Sequence, residues 1–192
     1  MASTDINGNL RPAVFLDRDG TINVEKEYLY RIEDFEFISG APAAIKKLKD
    51  AGYLVIVVTN QSGVARGYYS LDDVDHLHVH IQNELYQHGT SVDAFYICPH
   101  HPTEGTGEYR QECGCRKPNP GMLLKAVADF NIDLGKSFII GDKIADVDAG
   151  VKAGCIPIMV LSGHGQRDSL KLTDDKIFVC ENISAAVSRI LS

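Results

Sequence analysis

The sequence predicts an α/β fold of three layers, in which helices cover both faces of a mostly parallel sheet. Three observations predict it: short apolar runs alternate with segments of helical periodicity, turn residues separate the two, and 44% of the 192 residues are hydrophobic. A chain of this length can bury one substantial core, so we expect a single domain over residues 13–192. Residues 1–12 are mainly polar, and we expect them to form a flexible leader.

Six short apolar runs are expected to form the strands of this sheet. Each is only a few residues long and is nearly continuous in apolar side chains, as strands buried on both faces usually are. Helical segments or turn residues bound every run. The predicted strands are residues 13–16, 53–58, 94–98, 137–140, 156–161 and 177–180.

Five segments between and after these strands are predicted to be helices, because each carries start and stop signals. Pro42 suits the first turn of one helix and Gly52 the position just past its end. Ser70 is the expected N-cap of a longer helix, and Ser184 is the expected N-cap of the last. The predicted helices are residues 41–51, 71–88, 119–130, 145–153 and 184–191.

Charge and hydropathy exclude two classes of partner. The 19 basic and 26 acidic residues give a formal charge of −7, which repels nucleic-acid phosphates and acidic membrane surfaces. No apolar run approaches the roughly 20 residues that a transmembrane helix needs. We therefore expect a cytoplasmic protein that binds neither nucleic acid nor membranes. We also expect a monomer.

Small polar clusters follow the predicted strands, and the carboxyl ends of parallel strands meet at one edge of a sheet. Each cluster alone also fits a turn or a helix cap. Together, converging carboxylates favour a hard cation, and Mg²⁺ suits so few ligands because it keeps several waters. A threonine hydroxyl and a lysine can bind the oxygens of a transferring phosphoryl group. The clusters are Asp17 and Asp19, Thr59, Arg116 and Lys117, and Asp142 and Asp146.

The residues around these clusters resemble the four motifs of the haloacid-dehalogenase-type (HAD-like) phosphatases. In chain order they are FLDRDGT at 15–21, TNQSG at 59–63, RKP at 116–118 and GDK at 141–143. Within this superfamily the likeness is greatest to the heptose bisphosphate phosphatase family, and the histidinol-phosphate phosphatases come second. The resemblance extends over nearly the whole chain after residue 12. It implies a Rossmann-like, HAD-like fold.

The resemblance also implies a mechanism. Asp17 would attack phosphorus to give an aspartyl phosphate, and Asp19 would protonate the leaving alkoxide and then deprotonate the hydrolytic water. The Mg²⁺ ligands would be the Asp17 carboxylate, the Asp19 backbone carbonyl and Asp142. Asp146 would either orient Asp142 or Lys143 from outside, which we favour, or cap a helix. The implied reaction removes the 7-phosphate of a heptose 1,7-bisphosphate, a step toward ADP-heptose and the lipopolysaccharide core.

A cysteine-rich loop over residues 98–115 supplies the ligand set of a closed, structural zinc site. A metal would order a loop that otherwise has little apolar surface. His101 competes for the histidine position, and paired thiols without metal are the alternative. We choose His100 because the related heptose bisphosphate phosphatases use a Cys-x-His…Cys-x-Cys pattern. The expected Zn²⁺ ligands are Cys98, His100, Cys113 and Cys115.

The resemblance implies two places for a cap domain, after the first motif or before the third. The stretch between Asp19 and Thr59 is too short for a large cap at the first place, and the zinc loop replaces a cap at the second. We therefore expect loops to select the substrate. Arg116 follows the zinc loop and can take the second phosphate of a sugar bisphosphate by a bidentate contact. Residues 25–28 would line the sugar side, although a solvated flap is the alternative. The predicted substrate contacts are Glu25, Lys26, Glu27, Tyr28, Asn60, Gln61, Ser62, Arg116 and Lys143.

Two other functions compete with this interpretation. A histidinol-phosphate phosphatase would share the motifs but meet no second phosphate. A phosphoryl-accepting receiver domain also combines carboxylates, threonine and lysine, but Asp19 would give this chain its own acid and base for hydrolysis. Residues 162–167 are expected to form a glycine-rich turn, and contact of this segment with ligand is the alternative. His76, His78 and His80 alternate along a predicted helix and do not share a face, so we do not expect them to bind a metal.

Overall fold

The computed structural model describes residues 10–192 and confirms the predicted α/β fold. A sheet of six strands, in the order β3-β2-β1-β4-β5-β6, forms the middle layer, and neighbouring strands pair in parallel throughout. The strands are β1 (Ala13–Leu16), β2 (Leu54–Asn60), β3 (Ala94–Cys98), β4 (Phe138–Gly141), β5 (Ile156–Val160) and β6 (Phe178–Cys180).

The five predicted helices are present with ends that agree within two residues. Ser70 caps α2 as predicted, in a reciprocal capping box with Asp73. One expectation was wrong in part and another was wrong. Residues 162–164 form the expected turn, but residues 165–167 belong to a short helix. The last helix is capped by Asn182 instead of Ser184. The helices are α1 (Ala41–Asp50), α2 (Leu71–Gln87), α3 (Gly121–Phe130), α4 (Ile144–Ala153), α5 (Gly165–Asp168) and α6 (Ile183–Ile190).

The core lies on both faces of the sheet, because successive side chains of a strand point to opposite faces. On β1, Val14 and Leu16 belong to the cluster formed with α1, α2 and α6. Ala13 and Phe15 belong to the cluster formed with α3 and α4. All four are completely buried. The nearly continuous apolar runs in the sequence therefore reflect a sheet that is covered twice.

The order of the strands positions the site. The chain passes from β1 to β2 on one side, whereas β4 lies on the other side of β1. A crevice forms at the carboxyl ends of strands where the order reverses in this way. Asp17 follows β1 there, and its backbone N–H donates to Ile140 O of β4 at 2.9 Å.

The segments outside the sheet agree with the expected absence of a large cap. Between β1 and β2 the chain forms one 3-10 turn, Ile32–Asp34, and α1. Arg11, inside the predicted leader, exchanges backbone hydrogen bonds with Asn131 and Asp133, at 3.0 and 2.9 Å. Residues 1–9 of that leader lie outside the described residues. None of the helices within residues 10–192 is long and apolar enough to cross a membrane.

Candidate active site

The predicted nucleophile, Asp17, lies beside a buried lysine at the carboxyl end of β1. Lys117 Nζ donates to Asp17 Oδ1 at 2.9 Å and to Val58 O at 2.6 Å, and it also forms an ion pair with Asp146. Burial alone would lower the pKa of Lys117, but the carboxylates of Asp146 and Asp17 raise it above its ordinary value. Lys117 is therefore a fixed positive charge next to Asp17.

Asn60 holds the backbone of Lys117 in place. Its Nδ2 donates to Lys117 O at 3.0 Å, and its Oδ1 accepts from Lys117 N at 3.1 Å. Both ends of the Asn60 amide are used in this way, so the last residue of β2 positions the loop that carries the lysine. A direct contact of Asn60 with substrate stays a prediction.

The predicted acid and base, Asp19, is surrounded by donors. Its carboxylate accepts from Arg18 Nη2 at 3.0 Å, Asn23 Nδ2 at 3.0 Å and Gln61 Nε2 at 3.1 Å. Burial alone would raise the pKa of Asp19, but Arg18 and the amides of Asn23 and Gln61 lower it below its ordinary value. Asp19 is therefore ionised in this state and can accept a proton.

Arg18 and His78 form a buried pair behind Asp19 that we did not predict. Arg18 is fully buried; it donates to Leu29 O at 2.9 Å and its Nη1 lies 3.3 Å from His78 Nε2. Burial, and then the charge of Arg18, lower the pKa of His78 to about 3, so His78 is neutral and accepts through Nε2. The sequence contained a signal for the burial of His78, because this residue lies on the same face of the helix as Val74 and Ile81.

Thr59 is linked through Gln61 to a tyrosine that sequence reasoning also missed. Gln61 Nε2 donates to Thr59 Oγ1 at 2.9 Å, and Tyr69 Oη donates to Gln61 Oε1 at 2.7 Å. Burial raises the pKa of Tyr69 to about 12, so its phenol stays protonated. Because Thr59 accepts from Gln61, its own hydroxyl hydrogen is free for a phosphoryl oxygen.

A cluster of carboxylates next to Asp17 fits a divalent cation. Ligand oxygens of Asp17, Asp142 and Asp146 all lie within 4.8 Å of one another, and the three residues are buried. Within residues 10–192, the buried Asp142 Oδ1 has no hydrogen-bond partner. Burial, and then the charge of Asp17, raise the pKa of Asp142 to about 8. Mg²⁺ would satisfy the orphaned oxygen and remove the repulsion that raises this pKa.

Asp146 has a role that combines parts of both alternatives from the sequence. Its Oδ2 accepts from the backbone N–H of Lys143 at 3.0 Å, which caps α4. Its Oδ1 pairs with Lys117 Nζ. Asp146 therefore caps α4 and orients Lys117. We had expected it to orient the side chain of Asp142 or Lys143 instead.

Two glycines allow a second segment to close around Asp142. Gly20 and Gly163 have φ values of +83° and +56°, and a Cβ on Gly20 would lie 2.8 Å from Asp142 Cγ. Ser162 Oγ donates to Gly20 O at 2.7 Å, and His164 N donates to Asp142 Oδ2 at 2.7 Å. Residues 162–164 are therefore part of the site, although we had favoured a simple turn over contact with ligand.

A cavity of about 330 Å³ opens beside Asp19 and Gln61, and its wall does not include Asp17, Thr59, Lys117 or Asp142. Burial alone would lower the pKa of Lys143 in its wall, but Asp17, Asp142 and Glu25 raise it, so Lys143 is charged. The lining includes eight residues of the predicted site and two that were not predicted, Tyr69 and His164. The lining residues are Asp19, Glu25, Glu27, Tyr28, Asn60, Gln61, Ser62, Tyr69, Lys143 and His164.

The structure does not bring Lys26 and Arg116 to the wall of this cavity. Lys26 Nζ pairs with Glu36 Oε2 at 3.5 Å and lines a neighbouring cavity over residues 26–31. Arg116 Nη1 donates to His100 O at 3.0 Å, and the side chain lines a separate cavity next to Pro102 and Pro118. Their contacts with substrate stay predictions.

The four predicted zinc ligands come together. Their Sγ–Sγ distances are 3.0–3.5 Å, and His100 Nδ1 lies 3.4 Å from Cys115 Sγ. The edge of a tetrahedral zinc–thiolate site is roughly 3.7 Å, so the cluster is close to the size that the metal needs. In contrast, His101 Nδ1 accepts from Thr103 N and Glu104 N, at 3.3 and 2.9 Å. Of the two histidines, His100 is therefore the one in the cluster.

The cysteine loop contacts the site at two places. Arg116 is bound to the carbonyl of His100, one of the four clustered residues. Farther along the loop, Thr106 N donates to Ala65 O at 3.1 Å, and a Cβ on Gly105 would overlap this carbonyl. The loop is therefore attached both to the segment that carries Lys117 and to the turn after Thr59.

Comparison with known proteins identifies the family. A family model described as HAD-hydrolase-like matches residues 114–186. The D-glycero-beta-D-manno-heptose-1,7-bisphosphate 7-phosphatase of Pasteurella multocida is 50% identical over 141 residues, which are 73% of this chain and 76% of that protein. The enzyme of the same name from Escherichia coli strain K12 is 46% identical over 142 residues, 74% of each chain.

A solved structure agrees with these relatives. The D,D-heptose 1,7-bisphosphate phosphatase of B. bronchiseptica, complexed with magnesium and phosphate, superposes with a TM-score of 0.84 at 32% identity. The alignment covers 94% of this chain and 98% of that one. The fold, the motifs and the sequence identity all indicate the same family, and each likeness extends over most of this chain and most of the relative. This chain therefore belongs to the HAD-like hydrolases, and within them to the family of the D-glycero-D-manno-heptose 1,7-bisphosphate phosphatases.

Proposed function

We propose that this protein is a magnesium-dependent phosphatase that removes the 7-phosphate of D-glycero-D-manno-heptose 1,7-bisphosphate, on the route to ADP-heptose and the lipopolysaccharide core. One observation carries the proposal: the Asp17 carboxylate accepts from the buried Lys117 ammonium and lies within 4.8 Å of ligand oxygens of Asp142 and Asp146. A nucleophile, a cation and a metal-binding cluster are therefore within reach of one phosphoryl group.

In the first step, one oxygen of Asp17 forms a bond to phosphorus, and the bond from phosphorus to the sugar oxygen breaks. Lys117 and the Thr59 hydroxyl bind phosphoryl oxygens as charge develops on them. Asp19, after taking up a proton, gives it to the leaving alkoxide. Bound Mg²⁺ would neutralise charge between the carboxylates and the phosphoryl group.

In the second step, water attacks the phosphorus of the aspartyl phosphate, and the bond to Asp17 breaks. Asp19 takes the proton of the water. Arg18, Asn23 and Gln61 hold the pKa of Asp19 below its ordinary value, so the carboxylate is ionised before it takes this proton. The products are inorganic phosphate and free Asp17, so the protein turns over instead of holding its phosphoryl group as a receiver domain does.

The substrate assignment rests on the relatives and on the chemistry of the cavity. Its lining is mostly polar and carries both signs of charge, from Glu25 and Glu27 to Lys143. Such a lining suits a small molecule with many hydroxyls and a phosphate. Arg116 would contact the second phosphate if the substrate extends toward the cysteine loop.

We further propose that Cys98, His100, Cys113 and Cys115 hold a structural Zn²⁺. Four protein ligands complete a tetrahedral shell and leave no open position for a substrate. The support is the closeness of the four ligand atoms and the contact of Arg116 with the carbonyl of His100. The metal would fix the loop that carries Arg116 and Lys117.

Asp17→Asn tests the proposed nucleophile. The substitution keeps the size of the side chain and removes the charge that attacks phosphorus, so phosphate release with saturating Mg²⁺ should fall by about a thousandfold or more. The matched control is Asp148→Asn on the exposed side of α4, which should keep normal turnover. Release of phosphate is measured with heptose 1,7-bisphosphate and with histidinol phosphate.

Three results would contradict the proposal. Normal turnover by Asp17→Asn would rule out Asp17 as the nucleophile. The proposed substrate would be wrong if kcat/KM were higher for histidinol phosphate than for the heptose bisphosphate and if Arg116→Ala left this preference unchanged. A single phosphorylation of the protein without turnover would assign a receiver function.

A further inference from the structure

The segment Glu25–Tyr28, which we call the flap, has an unusual backbone. Glu27 and Tyr28 are consecutive residues with φ values of 42° and 58°, in the left-handed region that residues other than glycine rarely adopt. Both side chains line the cavity. Such a conformation persists only where surrounding contacts hold it, so the flap needs a restraint.

Glu25 supplies this restraint through both carboxylate oxygens. Its Oε1 accepts from the backbone N–H of Glu27 at 3.0 Å, inside the flap. Its Oε2 lies 3.2 Å from Lys143 Nζ and 3.4 Å from His164 Nε2, outside the flap. Lys143 follows β4 and His164 follows β5, so one side chain joins the flap to the wall built by two strands.

His164 has a rigid support. Its backbone N–H donates to Asp142 Oδ2 at 2.7 Å, and the preceding Gly163 packs against Gly20. The imidazole is about one-third exposed and forms part of the cavity lining. No step of the proposed reaction uses it.

Lys143 has a second attraction besides Glu25. Its Nζ lies 3.9 Å from Asp142 Oδ1, between the carboxylate cluster and the flap. A phosphoryl group bound at the cluster carries two negative charges and therefore competes with Glu25 for this ammonium group. When Lys143 turns to the phosphoryl group, His164 is the partner that Glu25 keeps.

We propose that Glu25, Lys143 and His164 form a latch that holds the flap over the cavity, and that His164 is a positioning residue that keeps the flap closed when a bound phosphoryl group draws Lys143 away. Closure keeps Glu27 and Tyr28 against the substrate. The latch therefore acts on substrate binding and not on the chemical step. Its kinetic consequence rests on the proposed phosphatase function, whereas its effect on the flap does not.

Limited digestion with trypsin reports on the flap directly, because Lys26 lies within it. We expect His164→Ala to speed cleavage after Lys26 several-fold, and more so with Mg²⁺ and inorganic phosphate present. His164→Gln keeps an N–H donor toward Glu25 and should restore the slow rate. Cleavage after Lys176, in an exposed turn, gives the reference rate, and His76→Ala on the exposed face of α2 is the matched control.

Steady-state kinetics give a second readout. Loss of the partly exposed contact between His164 and the Glu25 carboxylate should raise KM about two- to five-fold in His164→Ala, with kcat within about a factor of two and rescue by His164→Gln. Unchanged cleavage after Lys26 would overturn the latch, as would equal acceleration after Lys176 or a failure of His164→Gln to restore the slow rate. If the cleavage pattern is as expected but no heptose bisphosphate is hydrolysed, the latch stands and the proposed function fails.

Discussion

His78 links the stability of the fold to the geometry of the catalytic loop. It extends from α2, stacks on Phe95 with ring centroids 4.3 Å apart, and accepts from Arg18, which in turn binds Asp19. A charged imidazole there would be buried next to a guanidinium group. The neutral form is therefore a condition for the arrangement of Arg18.

The pKa of about 3 for His78 predicts how stability depends on pH. Because the unfolded chain binds a proton near the ordinary histidine pKa and the folded chain does not, acid favours unfolding. The free energy of unfolding should fall by roughly 2 kcal/mol between pH 7.5 and 5 through this group alone. The measurement is urea denaturation followed by circular dichroism at both pH values, with excess Zn²⁺ present throughout.

His78→Gln should lose this part of the pH dependence, because the amide does not titrate and its oxygen can still accept from Arg18. The matched control, His76→Gln, changes an exposed histidine of the same helix and should keep the full dependence. An equal slope for wild type and His78→Gln would show that His78 does not stay neutral in the folded protein.

At this scale the sequence predicted which charged and hydroxyl groups come together better than the groups that position them. Asp17 and Asp19 directly follow β1, Thr59 lies at the end of β2, and Lys117 follows the cysteine loop after β3, so the strand pattern was enough to bring them to one edge of the sheet. The clamp between Asn60 and Lys117 joins residues 57 apart in the chain, and no local pattern encodes such a pair. The sequence therefore predicted Asn60 as a substrate contact but not its hydrogen bonds to the backbone of Lys117.

At the scale of elements, α6 shows why the end of a helix is harder to predict than its presence. Both Asn182 and Ser184 are good N-cap residues. The structure uses Asn182, whose side chain accepts from Ala185 N at 3.1 Å. A start at Ile183 places Ile183, Ala186 and Val187 on one buried face, and this apolar spacing was the signal that could have decided between the two caps.

Alanine substitutions distinguish the two caps. Asn182→Ala removes the acceptor for Ala185 N and should lower the free energy of unfolding by about 1 kcal/mol. Ser184→Ala lies inside the first turn and should change it by less than about 0.5 kcal/mol. Urea denaturation of both variants measures the difference. A larger loss in Ser184→Ala than in Asn182→Ala would restore the cap expected from the sequence.

At the scale of the whole molecule, the parallel sheet brings distant residues to one edge. Lys117 and Asp17 are 100 residues apart, and Lys143 and Glu25 are 118 apart. Alternation of strands and helices predicted the fold class, and hence the edge at which functional residues meet. It did not predict which side chains meet there, because the order of strands and the path of loops decide this. The position of His164 beside Glu25 is an example.

The cysteine loop is joined to the rest of the site at two points: the carbonyl of His100 accepts from Arg116, and the backbone N–H of Thr106 donates to Ala65 O. If zinc fixes the loop, loss of the metal should disorder the segment before Lys117. We expect about one zinc per chain in protein purified without added metal, and markedly less in Cys115→Ser. That variant should also melt at a lower temperature and have a lower kcat/KM.

Cys180→Ser is the matched control, since Cys180 lies on β6, outside the cluster. It should keep both the zinc and the activity of the unchanged protein. Metal content is measured by atomic spectroscopy, melting by circular dichroism, and activity by phosphate release with saturating Mg²⁺. Zinc-free protein with full activity and an unchanged melting temperature would remove the structural role, because the loop would then hold Arg116 and Lys117 in place without a metal.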